Sequence, residues 1–273
     1  FGHSLEGMEI ADYSDEDKLE QLIADYMKNK SLMPASALKR MAKDPLNIAL
    51  MMEETGAIDG TFAGLTHTTG EVIMAGQMIL GTKEGINTVS SLGIMDIPGF
   101  DGPEGNLLVA ADCAVCPDPD SEELADIAIT TCDTVSYLLG WEPRAALLSF
   151  STDGSGEHEK AEKVAEAVAI AQKKRPELNI DGEFQLDAAI LPAVATKKVK
   201  RDSTVAGRAN IIIFPDLNAG NIGVKLVQFL AGGHSYGPLL QGLAKPVSDS
   251  SRSAPLEEIV GNLAMLVVCA QDK

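Results

Sequence analysis

Four consecutive residues, Ile211-Ile212-Ile213-Phe214, leave this chain little freedom. The run is wholly apolar, largely β-branched and too short for a helix, so it belongs in a buried strand. Pro215 and Asp216 end it, Asn218-Ala219-Gly220-Asn221 reads as a small polar turn, and residues 224–230 resume at helical spacing. A buried strand that turns through Gly and Asn into a helix is the unit of a parallel sheet with helices on its faces. It also gathers free backbone N–H groups at one point, which suits a phosphate or carboxylate. The same residues are what an ordinary strand-to-helix loop with a good cap would use.

The alternation extends along the chain. Helical stripes cover 15–30 (Leu19, Leu22, Ile23, Tyr26), 34–43 and 46–55, and a further helix runs from Gly70 to Leu80. Strands are expected at Met8 and Ile10, within 88–94, at 107–111, 145–150 and 183–189, and around 235–240. Helices are expected at 122–138, 157–174, 192–198 and 256–270, with 242–253 as a loop. The pattern predicts an α/β fold of two domains, with mostly parallel sheets and flanking helices. No repeat or linker marks the boundary. Topology suggests one discontinuous domain from 1–85 and 240–273 and a second from 86–239.

Composition narrows the function classes. The 273 residues are 45% hydrophobic and 23% charged, as in a globular protein, and the net charge of −18 speaks against nucleic acid or an anionic membrane as partner. No uninterrupted apolar run reaches the length of a membrane span. Four cysteines in a chain of this length make no disulfide framework and fit a reducing cytoplasm. Cys113 and Cys116 have CxxC spacing, but no second Cys/His pair completes a zinc site.

Three strand-to-loop transitions end in small polar residues: 149–156, 218–221 and 248–253. In an α/β sheet such loops collect where ligands bind. Ser250-Ser251-Arg252-Ser253 precedes a helix with Glu257 and Glu258 in its first turn. A hydroxyl, a guanidinium and a carboxylate this close would serve an acyl transfer, though serines and acids at a helix start are also ordinary capping. His67 in HTTG and His234 in GGHSYG offer acid–base groups, or single loop hydrogen bonds. No GxSxG, Walker or GxGxxG motif is present.

At these residues the chain resembles the phosphate acetyltransferase/phosphate butyryltransferase family. The matching pieces run in order: ADCAVCPDPDSEELADIAI (111–129), LLSFSTDGSG (147–156), IDGEFQLDAA (180–189), FPDLNAGNIGVKLVQ (214–228), YGPLLQGLAKPVSD (236–249) and SRSAPLEEIVG (251–261). Weaker similarity continues through AKDPLNIALMM and LTHTTGE. PDLNAGN and LQGLAKPVSD lie closer to the acetyl branch. The resemblance implies two domains of the isocitrate/isopropylmalate dehydrogenase-like kind, an active site in their cleft, and a homodimer. It also implies reversible acyl transfer between coenzyme A and phosphate, with coenzyme A as substrate and no separate cofactor or metal.

By that resemblance the family's aspartate base falls on Glu258, its transition-state serine on Ser251 and its arginine on Arg252. Ser149, Thr152, Gly154, Ser155, Asn218, Gly220, Asn221, Lys225, His67, Thr69 and Lys28 are the expected substrate-binding residues. The chain departs from the pattern where family arginines align with Lys28, Met74 and Phe229. Lys does not reproduce a bidentate guanidinium–phosphate fork, and Met and Phe bind no anion. The family's first tens of residues are also expected to lie outside this sequence, leaving an apolar sheet edge in domain one. Two readings follow: a phosphate acyltransferase of acetyl or butyryl specificity, or a relative that binds the ligands without turnover. A dehydrogenase on the same fold is disfavoured by the lack of a metal-binding aspartate cluster.

Overall fold

A computed structural model describes residues 7–30, 33–250 and 254–271, which divide into two units: residues up to Ile58, and residues from Asp59 onward.

The first unit is helical. In α1 (Glu16–Asn29), Asp15 caps the start by accepting from the Asp17 N–H, acids fill the first turn, and Leu22, Ile23 and Tyr26 form the buried stripe. Helix α2 (Ala35–Met41) buries Leu38, and α1 packs on it and on α3 (Pro45–Thr55). Asp44 and Pro45 open α3, and Gly56, at φ 79°, closes it in the left-handed conformation that glycine adopts most readily. No strand forms at Met8 and Ile10. Their side chains are 70% and 90% exposed, so neither has an apolar surface to lie on.

The second unit carries the sheet. Its elements in order are β1 (Thr61–Ala63), α4 (Thr69–Ile79), β2 (Ser90–Asp96), β3 (Leu107–Ala111), α5 (Ser121–Leu139), β4 (Arg144–Leu148), α6 (Glu159–Lys174), β5 (Asn179–Phe184), α7 (Leu186–Ile190), α8 (Pro192–Lys198), β6 (Ile211–Ile213), α9 (Leu217–Leu230), β7 (His234–Gln241), β8 (Val247–Asp249) and α10 (Leu256–Ala270). The eight strands form one sheet in the order β1-β8-β7-β2-β3-β6-β4-β5. Pairing is parallel throughout β3-β6-β4-β5 and between β1 and β8, and antiparallel around β7 and β2. The α/β fold with flanking helices is therefore present, with the parallel character concentrated in one half. The expected boundaries near 85 and 240 fall inside this unit, where the sheet runs across both.

Two apolar layers sandwich the sheet. One joins Val109, Leu147 and Ile211 to α5, α6 and Met265 of α10; the other joins Ala110, Ala146 and Ile212 to α7 and residues such as Val205. The triple isoleucine of β6 is buried on both faces because helices cover both.

Three local expectations change. Residues 183–189 are the end of β5 followed by α7, because the buried pair Ile180 and Phe184 pulls the strand four residues earlier. Residues 218–221 are the first turn of α9, not a free turn, since the Asp216 carboxylate accepts from the Ala219 N–H and starts the helix at Leu217. The loop at 242–253 contains β8, a three-residue strand too short to show a period of two.

Candidate active site

A cleft of about 820 Å³ opens where β1, β8 and β3 end and where α4, α9 and α10 begin. Its floor is backbone and small residues of β2 and β7, among them Gly93, Ser235 and Gly237. Polar groups enter from the surrounding elements: His67 and Thr69 from the start of α4, Asn221 and Lys225 from α9, Asp249 and Ser250 from the end of β8, and Glu258 from α10.

The helix starts are built by local chemistry. Thr68 caps α4 by accepting from the Glu71 N–H, while the Glu71 carboxylate accepts from the Thr68 N–H at 2.7 Å. This reciprocal box holds Thr69 at the first helical position, where its hydroxyl meets Asp249 Oδ2 at 2.5 Å. Pro255 precedes α10 and puts Glu257 and Glu258 in its first turn. Glu258 Oε1 accepts from Gln228 Nε2 at 3.4 Å, and burial pushes its carboxyl above the ordinary carboxylate value against the opposing pull of His234. Lys225 has no carboxylate partner among the described residues, so its charge is available to the cleft.

A second buried carboxylate frames the floor. Asp112, at the end of β3, accepts from the backbone N–H groups of Ser91, Ala114, Val115 and Cys116 and from the Ser91 hydroxyl. Every lone pair is used, so Asp112 holds the chain rather than offering itself to a ligand. Burial and this neighbouring carboxylate push the Cys113 and Cys116 thiols well up, and Cys116 Sγ donates to the Val89 carbonyl at 3.3 Å. Thiols so disfavoured as thiolates are poor metal ligands and nucleophiles. Among the described residues no group of three His, Cys, Asp or Glu is placed to hold a metal ion.

The expected site residues divide. His67, Thr69, Asn221, Lys225 and Glu258 line the cleft. Asn218 is exposed on the first turn of α9, and Gly220 lies against the Asp112 carbonyl, where a Cβ would come within 2.2 Å. Gly220 thus serves a close backbone approach. Ser149, Thr152, Gly154 and Ser155 do not line this cleft. Their loop closes on itself: the Ser155 hydroxyl accepts from the Thr152 N–H, the Thr152 hydroxyl from the Gln185 N–H, and Glu183 Oε1 from the Gly154 N–H at 2.9 Å. Ser149 borders a separate hollow of about 510 Å³ beside Lys160 and Lys163. Lys28 lies in the helical unit, paired with Asp25 at 2.6 Å. Ser251 and Arg252 lie outside the described residues. Of the departures from the family pattern, Phe229 lines the cleft and is 77% exposed, whereas Met74 is 62% exposed on α4 and does not line it.

Asp249 and Gly64 belong to the site without having stood out in the sequence. Asp249 sits in a VSDSS run that resembles any polar loop. Gly64, at φ +98°, lets the β1 end pass so near that a Cβ would fall 2.2 Å from Asp249 Oδ1 and 2.3 Å from the Ser250 carbonyl. A glycine immediately after a short apolar strand was the one available signal.

Strand ends and helix starts that meet at a polar cleft are the arrangement at which α/β proteins commonly take small ligands. The chain belongs to the phosphate acetyl/butaryl transferase family, whose pattern matches residues 2–267. It is 46% identical to a phosphate acetyltransferase of Clostridium acetobutylicum, over 96% of this chain and 79% of that one. Identity to the phosphate acetyltransferase of Acetivibrio thermocellus is 43%, over 98% and 81%. Among solved structures, a phosphotransacetylase from Streptococcus pyogenes superposes with a TM-score of 0.84 at 37% identity, covering 96% of this chain and 77% of that one.

Proposed function

We propose that the chain is an enzyme catalysing reversible transfer of an acetyl group between coenzyme A and inorganic phosphate. The observation that carries this reading is that one cleft holds both the half-buried Glu258 carboxylate, which burial pushes above its ordinary value, and the Lys225 ammonium, which has no carboxylate partner among the described residues. A thiol of pKa ~8.5 must lose its proton before it attacks the acyl carbonyl. A carboxylate whose pKa burial has raised is a stronger base than an ordinary one, so the mismatch with the thiol shrinks. Lys225 and Asn221 of α9, with His67 and Thr69 at the start of α4, meet the phosphate. Ser251 and Arg252 keep the roles that the family pattern gives them: a hydrogen bond to the reacting centre and stabilisation of negative charge. The 149–156 loop enters as a shoulder braced on Glu183 rather than as a direct ligand.

In this reading coenzyme A and acetyl phosphate are the substrates, and the chain works in the cytoplasm as a homodimer. No helix among the described residues is long and apolar enough to cross a membrane. The assembly is tested by sedimentation.

Phe229 favours a second reading. It places a phenyl ring on the cleft wall where the family pattern has a cation, as in a relative that binds the ligands without turnover. The test is formation of acetyl-CoA from acetyl phosphate and coenzyme A, with butyryl phosphate in parallel. Turnover with acetyl phosphate supports the proposal, and preference for butyryl phosphate moves the acyl specificity. A folded chain that binds coenzyme A but produces no thioester establishes the second reading.

A further inference from the structure

Asp249 is the most enclosed ionisable group of the cleft, 2% exposed at the end of β8. One of its oxygens, Oδ2, lies 2.5 Å from the Thr69 hydroxyl. The other, Oδ1, is buried and receives no hydrogen bond. It faces the α-carbon of Gly64, a surface of C–H bonds, because a Cβ there would stand 2.2 Å from it. An ionised oxygen in that position would be stripped of water with only the adjacent Ser250 N–H in return, a donor already given to the Ala63 carbonyl at 3.1 Å, and a neutral carboxyl largely avoids that cost.

The protonation state decides what Thr69 can do. A hydroxyl has one hydrogen and two acceptor sites. Beside an ionised Asp249, the Thr69 hydrogen is spent on the carboxylate, and the cleft receives only lone pairs next to a negative charge. Beside a protonated Asp249, the carboxyl donates to Thr69 Oγ1, and the Thr69 hydrogen is free to turn outward.

We infer that Asp249 holds its proton, and that the hydrogen-bonded Asp249–Thr69 pair presents the Thr69 hydroxyl as a donor to an anionic oxygen of the phosphate-bearing substrate. Asp249 is then a positioning residue acting through Thr69. Burial pushes its carboxyl upward, opposed by the Thr69 hydroxyl and the Ser250 N–H. Among the described residues, the ionisable groups on the surrounding walls are His67 before α4, Cys113 after β3, Lys225 on α9 and Glu258 on α10. Glu71 on α4 is committed to Thr68, and none of these charges figures among the causes acting on Asp249. A neutral pair at this spot adds a donor without adding repulsion, in a chain of net charge −18.

This inference rests on the phosphate-handling reading, so its test uses a readout that survives loss of turnover. The first measurement is the infrared spectrum of the intact chain near neutral pH, wild type minus Asp249→Asn. The carbonyl stretch of a protonated carboxylic acid should be present in the difference. The second is sulfate binding by calorimetry, because sulfate keeps its charge across the neutral range. Thr69→Val should weaken it about tenfold, and Thr69→Ser should stay within about twofold of wild type. As pH rises through the raised value of Asp249, wild type should lose affinity that Asp249→Asn retains, since only the former ionises. A carboxylate band in place of the acid band, or parallel pH profiles for the two proteins, overturns the inference. Absence of acetyl-CoA formation with the acid band and the Thr69→Val loss intact would instead count against the transferase reading alone.

Discussion

Two sets of polar residues follow strands in this fold, and they are put to opposite uses. The loop at 149–156 has the more suggestive sequence, yet its hydroxyls and amides are bonded to one another and to Glu183 and Gln185. Around the cleft, Lys225 lacks a counter-charge among the described residues, Glu258 is half-buried with one long hydrogen bond, and Asp249 keeps a bare oxygen. Polar residues at strand ends are common to both regions. What differs is whether their bonding capacity is spent. Satisfied groups rigidify a loop, and unsatisfied ones are available to a ligand.

That contrast breaks most sharply at Glu258. Replacing it with Gln should lower kcat by at least about 10²-fold, the usual scale for losing a general base, with the fold intact by circular dichroism. Gly64→Ala comes next. It forces a non-glycine residue to φ +98° and a Cβ onto Asp249, so urea denaturation should show a loss of about 2–4 kcal/mol. Lys225→Ala should raise KM for acetyl phosphate about tenfold with stability unchanged, as expected for a charge that binds rather than braces. Ser155→Ala should do the reverse: a stability loss of about 1 kcal/mol, from an internal hydrogen bond, with KM within twofold of wild type. A large KM change in Ser155→Ala would show that the loop opens to the substrate and would remove the distinction between the two regions.

Much of the fold was legible. Periodicity placed α10 to the residue, and periodicity with capping placed α1, α3 and α5 to within one or two, because apolar stripes and N-cap aspartates coincide in those three. The buried isoleucines identified β6 and, with it, the parallel half of the sheet. Residues 218–221 were misleading because Asn and Gly favour turns locally, whereas the Asp216 cap and the contact of Gly220 with Asp112 draw them into a helix. Strand β8 was invisible because three residues with one hydrophobic side chain carry no period. Of the residues that the family pattern singles out, Glu258, Lys225, Asn221, His67 and Thr69 line the cleft. Asp249 was not legible, since its character comes from Gly64 and Thr69, which are close only in three dimensions.

The proposed base is Glu258, whose carboxyl burial in the cleft pushes above its ordinary value. The decisive experiment is the pH dependence of kcat for acetyl-CoA formation in the wild-type chain, with the residual rate of Glu258→Gln alongside. A base works only when deprotonated, so raising its pKa moves the acid limb upward. The limb should lie above the ordinary glutamate value of ~4.3 and be missing from the Gln variant. A rate that is flat through that region, or an acid limb that Glu258→Gln retains, would contradict that role for Glu258.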